Sequence, residues 1–244
     1  MKIMSFNLRH SIIQSITGYW LFRYKNIVKY LNKDTYDIIG TQEVTRFSKR
    51  YLKKHMNNYN VIGEGRGSFI FTNEYNVILI NKKYEITKYN TYSLSNDINV
   101  LGTKLVGYNF PRICSVVHFR DDMHKYLVIN THIDNSTSDN KKKMLDILEK
   151  ILKLEREDDE LVIITGDFNM SMNKKIEKFI SNNKLKNIFK DNEKSSFVKD
   201  NNMRRIDHIF VSNKFKIKDS YIDYECNNNK CISDHYSIVG EISL

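Results

Sequence analysis

Leu161-Val162-Ile163-Ile164-Thr165-Gly166-Asp167-Phe168-Asn169 is the stretch on which the reading of the chain turns. A short apolar run rich in β-branched residues reads as a buried strand, and here it discharges directly into a carboxylate and an amide. The same grammar recurs. Tyr126 to Ile129 lead into Asn130-Thr131-His132, Asp37 to Ile39 lead into Thr41-Gln42-Glu43, and Ser233-Asp234-His235 precedes the final apolar run. Carboxylates, amides and imidazoles at strand ends describe a site built on a rigid sheet. Hard oxygen ligands without a ligating cysteine pair suit Mg²⁺ or Mn²⁺ better than zinc. That combination points to metal-assisted chemistry on phosphate.

The elements around these segments alternate. Ile3 to Leu8 reads as a first strand ending in Asn7, and Trp20, Leu21, Tyr24, Ile27, Val28 and Leu31 recur at helical spacing. A basic helix is expected over Thr45 to Met56. Val77 to Ile80 and Tyr84 to Leu94 read as paired strands, Ile113 to Phe119 as another. Ser138 to Leu154 carries Met144, Leu145, Leu148, Ile151 and Leu152 on one helical face, and a further helix falls near Lys174 to Ser181. Ile206 to Val211 and Tyr236 to Ile242 are the last strands. This order implies an α/β protein of two sheet-and-helix halves packed face to face. With a single proline, Pro111, and no Pro/Gly/Ser-rich linker, residues 1–244 read as one domain. Asn90 to Pro111, dotted with glycine and without period, reads as loop over the site. Asn182 to Asn202 reads as irregular.

A net charge of +10 permits a polyanionic partner such as nucleic acid. Most of the excess is lysine in a lysine- and asparagine-rich chain, and runs such as Lys141-Lys142-Lys143 also fit solvated helix faces. Cys114, Cys226 and Cys231 do not make a disulfide framework. A Cys226–Cys231 bridge is sterically conceivable, but free thiols are the reading for a reducing compartment. The amino terminus shows no charged segment followed by an apolar one, and no apolar stretch is long enough to span a membrane. A cytoplasmic monomer without a membrane span is expected.

Taken together, the motifs from Phe6-Asn7 to Ser233-Asp234-His235 resemble, in order, those of the endonuclease/exonuclease/phosphatase superfamily. Its members include deoxyribonucleases, abasic-site endonucleases, deadenylases, inositol-phosphate phosphatases and bacterial sphingomyelinases. The resemblance implies a four-layered α-β-β-α sandwich of two packed mixed sheets flanked by helices. It also implies a Mg²⁺- or Mn²⁺-dependent phosphoester hydrolase. Glu43 is then the principal metal ligand, with Asn7, Asp167 and Asp234 contributing. Asp167 orients or deprotonates the attacking water, and Asn169 donates to a phosphate oxygen. His235, fixed by Asp207, stabilises the pentacovalent phosphate, and His132 is paired with Glu74. His208, next to Asp207, points the other way and is structural.

The substrate is read more coarsely. Arg9 stands where abasic-site enzymes carry an aspartate, and with Arg112 it could hold phosphates flanking the scissile one. This is the pattern of non-specific deoxyribonucleases and of small bacterial members. A phosphodiesterase acting on nucleic acid is therefore the first expectation. A phosphatase or phosphodiesterase on a small nucleotide or phosphorylated metabolite is the alternative, and a non-catalytic nucleic-acid-binding relative is a third. Tyr89, Tyr92, Tyr108 and Phe110 could stack on a base or anchor the loop to the sheet.

Overall fold

The computed structural model describes residues 1–10, 20–67, 73–108, 110–189, 194–198, 204–226 and 231–244. Two six-stranded mixed sheets pack face to face, flanked among the described residues by four helices. The first sheet comprises β1 (Lys2–Asn7), β2 (Ile38–Thr45), β3 (Tyr59–Ile62), β4 (Glu74–Asn81), β11 (Lys216–Asp223) and β12 (Ser237–Ser243). Its spatial order is β11-β12-β1-β2-β4-β3. The second comprises β5 (Glu85–Ser93), β6 (Ile113–Arg120), β7 (Lys125–His132), β8 (Leu161–Asp167), β9 (Leu185–Asn187) and β10 (Asp207–Ser212). Its order is β5-β6-β7-β8-β10-β9. Each sheet has one central parallel pair, β1 with β2 and β7 with β8, among antiparallel neighbours. Helices α1 (Trp20–Leu31) and α2 (Arg46–His55) cover the first sheet, α3 (Ser138–Glu155) and α4 (Lys174–Asn182) the second. No helix among the described residues is long and apolar enough to cross a membrane.

Strict alternation along the strands produces these layers. Met4, Phe6, Ile39, Val77 and Leu79 face α1 and α2, while Ile3, Ile38, Ile78 and Ile80 face the other sheet. Likewise Leu127, Ile129, Val162, Ile164 and Phe210 pack toward α3 and α4. Val117, Val128, Ile163, Ile209 and Val211 fill the space between the sheets. Followed toward one end, the inward rows change chemistry in step: Ile3-Ser5-Asn7, Ile38-Gly40-Gln42, Val128-Asn130-His132, Ile163-Thr165-Asp167 and Val211-Ile209-Asp207. In four of these rows an apolar residue gives way to a small or polar one and then to an amide, imidazole or carboxylate, while the β10 row stays apolar through Ile209 before Asp207. Among these polar groups, Gln42 Nε2 donates to Asn130 Oδ1 at 2.6 Å, and Thr165 Oγ1 donates to the same oxygen at 3.1 Å. Asn130 Nδ2 in turn donates to the carbonyls of Thr41 and Val77, 2.9 and 3.0 Å away. The two sheets are thus stitched together beneath the site. Gly40 lies here, where a Cβ would collide with Thr165.

Several expectations need correction. The strand from Glu74 and the strand from Glu85 do not pair. The chain crosses between sheets at residues 82–84, so β4 joins β2 and β3 while β5 joins β6. The segment expected to be loop from Asn90 is strand through Ser93, because its alternation is completed by pairing with β6. Strands β3, β9 and β11 are additional. Cys226 and Cys231 form a disulfide instead of free thiols, their Cα atoms 4.3 Å apart, and Cys114 is a buried thiol. The sequence expectations for the Trp20 and Leu21 side chains and, within Asn182 to Asn202, for residues 190–193 and 199–202 lie outside the described residues.

Candidate active site

Asp167 is the centre of the site. It ends β8, is 2 % exposed, and receives the Asn169 amide N–H on Oδ1 at 2.8 Å. Its Oδ2 lies 3.5 Å from His132 Nε2 and 3.6 Å from His235 Nε2, and accepts a hydrogen bond from Asn7 Nδ2 at 3.1 Å. Burial, and secondarily the Asp207 carboxylate, raise its pKa to about 7 against the opposing pull of His235. Phe168 turns back into the core while Asn169, with φ 50°, bends the chain toward the site. The Asn169 amide donates to Ile133 O at 2.8 Å and to His132 Nε2 at 3.1 Å, so both of its protons are engaged.

His235 is held from the other side. Its Nδ1–H donates to Asp207 Oδ2 at 2.8 Å, and that oxygen also accepts from Ser196 Oγ at 2.7 Å. Burial alone would lower the imidazole, but Asp207 and Asp167 more than offset it and raise the pKa to about 10. His235 is therefore an imidazolium at neutral pH. His132 is its opposite. Burial, with Arg112 and His235 adding to it, holds its pKa well below the ordinary value. The Asn169 donation puts the single proton of this neutral imidazole on Nδ1, a buried nitrogen without a partner. His208 accepts its structural reading: Nε2 lies 2.9 Å from Met170 O, the ring packs on Phe168 and Phe210, and burial lowers its pKa to about 4.

The oxygen-rich side is built on β1 and β2. The β2–β4 ladder slips between Thr41 and Val44, so Glu43 sits in an irregularity within a continuing strand, at φ 55°, and not at a strand end. Glu43 Oε1 accepts from Asn7 Nδ2 at 3.0 Å, and Oε2 from the His10 N–H at 2.7 Å. One amide nitrogen therefore reaches both Glu43 and Asp167. Asp234 pairs with Arg9 at 3.0 Å. Its pKa is raised, chiefly by burial, with His235 and Arg9 opposing and Glu43 adding to the rise. The ligand atoms of Asp167, Asp207 and His235 also lie within 4.8 Å of one another, a buried group that could hold a metal ion. Closely set, partly uncompensated carboxylate and amide oxygens fit a hard divalent cation.

The sequence-derived pairing of Glu74 with His132 is not present. Glu74 instead pairs with Arg66 Nη1 at 2.8 Å and approaches His10 Nδ1 at 3.5 Å. Burial, opposed by Arg66 and reinforced by Glu43, raises its pKa to about 7. Arg112 likewise meets a carboxylate the sequence reading did not single out, Asp134, at 3.2 Å. Arg23 was also missed. It is 4 % exposed and donates to the carbonyls of Leu8, Arg9 and Ile232 at 3.0, 2.8 and 2.6 Å. It thereby straps the exit of β1 to the segment that carries Asp234 and His235. Of the aromatic residues read as either stacking platforms or loop anchors, Tyr92 and Tyr108 are buried, as anchors would be, whereas Tyr89 and Phe110 are exposed.

Two sheets thus bring carboxylates, amides and imidazoles together at one site whose buried Asp167, Asp207 and His235 could hold a metal ion, an arrangement that fits a metal-dependent phosphoester hydrolase. The chain belongs to the endonuclease/exonuclease/phosphatase family, whose model matches residues 4–235. Among solved structures it is similar to a mannosyl-6-phosphatase from Bacteroides thetaiotaomicron, with 26% identity, a TM-score of 0.84 and 100% of each chain covered. It is also similar to D. rerio TDP2 complexed with a single-strand DNA product, with 17% identity, a TM-score of 0.76 and coverage of 100% and 99%. The human Nocturnin catalytic domain aligns at 13% identity and a TM-score of 0.78, covering 100% of this chain and 94% of that one. No curated protein sequence matches. Family and fold make the chain a phosphoester hydrolase.

Proposed function

We propose that the protein is a Mg²⁺- or Mn²⁺-dependent phosphatase acting on a small phosphorylated metabolite. The observation that carries the reaction is the position of Asp167 Oδ2 between two imidazoles, tied through Asn7 to Glu43. Glu43, Asn7 and Asp167 would hold the cation, with Asp234 beside them. A bound divalent cation supplies Lewis-acid polarisation of the phosphoryl group and offsets charge on the leaving oxygen. Asp167 takes the proton of a water set in line with phosphorus. Its Oδ2, set between two imidazoles and tied to Asn7, is positioned for that role. His235, as an imidazolium, donates from Nε2 to a non-bridging phosphate oxygen, with Asp207 fixing its tautomer and position. Asn169 turns one of its Nδ2–H groups from His132 Nε2 to a second phosphate oxygen, and His132 remains a neutral polar wall.

The choice of a small ester over nucleic acid rests on the arginines. Arg9 and Arg112, expected to grip neighbouring phosphates of a polymer, are each engaged by a carboxylate, Asp234 and Asp134. Among the described residues, neither arginine is then free to extend the cradle of His235 and Asn169 along a polymer. Full-length similarity to a mannosyl-6-phosphatase supports the same choice. The Cys226–Cys231 disulfide sits better with an oxidising compartment than with the cytoplasm expected from the sequence. The test is release of phosphate from a panel of sugar phosphates and nucleoside monophosphates, run beside plasmid DNA and single-stranded RNA. Cleavage of polymer with no turnover of the small esters would overturn this reading in favour of a nuclease.

A further inference from the structure

Glu43 continues into a chain of contacts that leads away from Asp167 to the rim. The His10 N–H donates to Glu43, the His10 ring lies 3.5 Å from Glu74, Glu74 pairs with Arg66 at 2.8 Å, and the Arg66 guanidinium lies 5.0 Å from the Phe110 ring centroid. Arg66 also lies close enough to Glu43, Arg112 and His132 for the charges to be felt between them, so this chain of contacts flanks the site. Its position relative to the reaction is set by in-line geometry. Water activated at Asp167 enters on one side of phosphorus, so the ester oxygen leaves on the other. Glu43 stands across Asn7 from Asp167, and the His10–Glu74–Arg66–Phe110 chain extends from Glu43. Phe110, at the far end of this chain, is thereby placed to meet a leaving group that departs on the Glu43 side.

The chemistry at the end of that chain is selective. Arg66 is 7 % exposed and its charge is matched by Glu74, so the pair is a poor phosphate hook but a rigid support. Phe110 is 50 % exposed and lies against this support. A guanidinium on one side of an aromatic ring holds it by cation–π attraction and leaves the rest of its surface for a ligand. An anchored phenyl ring loses little conformational freedom when a second flat apolar surface packs on it.

We propose that Phe110, held by Arg66 and Glu74, is the platform that recognises the leaving group, and that the preferred substrates are phosphate monoesters of a ring compound. The shared chemistry is a ring with one apolar face, which a pyranose offers through its C–H groups and a nucleoside through its base. The inference rests on the phosphatase reading above. It explains why an aromatic residue stands half exposed at the rim while Tyr92 and Tyr108 of the same segment are buried.

The test compares hexose 6-phosphate, a nucleoside 5′-monophosphate and acyclic glycerol phosphate, using wild type, Phe110→Ala and Phe110→Tyr with Mg²⁺ present. Phe110→Ala is expected to lower the ratio of kcat/KM for the favoured ring ester over glycerol phosphate about tenfold, through KM. Phe110→Tyr should restore that ratio, and the ring ester favoured by wild type identifies pyranose or base as the source. Equal loss on ring and acyclic esters, or no change on either, would overturn the platform while leaving the hydrolase reading intact. No hydrolysis of any of these esters by folded wild type would instead overturn the phosphatase reading and the platform with it. The half-exposed position makes folding of both variants straightforward to confirm by thermal melting.

Discussion

Replacing Asp207 by asparagine separates charge from geometry at His235. Both donors that reach this carboxylate, His235 Nδ1–H and Ser196 Oγ–H, converge on Oδ2 at 2.8 and 2.7 Å. The other oxygen, Oδ1, is buried without a partner. An amide can therefore keep its oxygen at the Oδ2 position and put its nitrogen where Oδ1 was. The hydrogen bonds survive and the negative charge is lost. A hydrogen bond to a charged group contributes about 1.5–3 kcal/mol against about 1 kcal/mol for a neutral one. The difference, about 1 kcal/mol or more, corresponds to roughly one pH unit in the affinity of His235 for its proton. The wild-type imidazolium has a pKa raised to about 10, so its contribution to stability is complete below the ordinary histidine value and disappears as pH rises through about 10. If the protonated ring is required, activity falls through the same range. In Asp207→Asn that fall should move about one unit or more toward neutrality. The buried amide nitrogen, lacking an acceptor, should also cost about 1–3 kcal/mol of stability. The assay is kcat from pH 6 to pH 10 for both proteins, with urea melts at each end. An alkaline limb that stays in place in folded Asp207→Asn would refute an imidazolium role for His235.

Glu43→Gln removes a charged donor from the proposed cation site. Divalent affinity measured by titration calorimetry should fall about tenfold or more, the size of loss seen when even outer-shell partners of a metal are removed, and equal affinity would exclude Glu43 as a ligand. Arg23→Gln leaves the carbonyls of Leu8, Arg9 and Ile232 without their charged donor. It should cost about 2–4 kcal/mol in a urea melt, and a loss under about 0.5 kcal/mol would refute the strap. Far from the site, buried His118 bridges Glu160 and Glu155 at 2.7 and 2.9 Å. Burial lowers its pKa but the two carboxylates more than offset this, while burial raises both glutamates and their hydrogen bonds more than offset that. Stability should thus be lost as pH rises through the raised histidine value and as it falls through the lowered carboxylate values. His118→Gln should remove this part of the alkaline decline and leave the His235 part, and an unchanged profile would show that the bridge is not ionised.

The layers and much of the site could be read from the chain because both follow from a period of two. Inward rows such as Val128-Asn130-His132 and Ile163-Thr165-Asp167 announce a strand, its buried face and the polar group at its end in one pattern. Partner choice escapes that pattern. Glu74 and His132 lie on strands of different sheets, and whether they meet depends on where Gly65-Arg66 places a guanidinium, which no spacing encodes. Arg23 reads as one more solvated cation on a helix, yet burial and three backbone carbonyls make it structural. The shift of the chain between sheets at residues 82–84 was equally opaque, since a short polar connection between two strands usually reads as a hairpin. Glu43 stands out in the sequence as a candidate ligand, but the irregular ladder in which it sits depends on β4 and not on its neighbours in sequence.

Divalent-cation-dependent phosphate release by wild type and Asp167→Asn bears most directly on the central proposal. With Mg²⁺ or Mn²⁺, wild type should release phosphate from hexose 6-phosphate or a nucleoside monophosphate, and chelation should stop it. Asp167→Asn should reduce turnover about a hundredfold or more, because its amide cannot accept the proton of the attacking water. Turnover that survives both chelation and the substitution would contradict a metal-assisted reaction centred on Asp167.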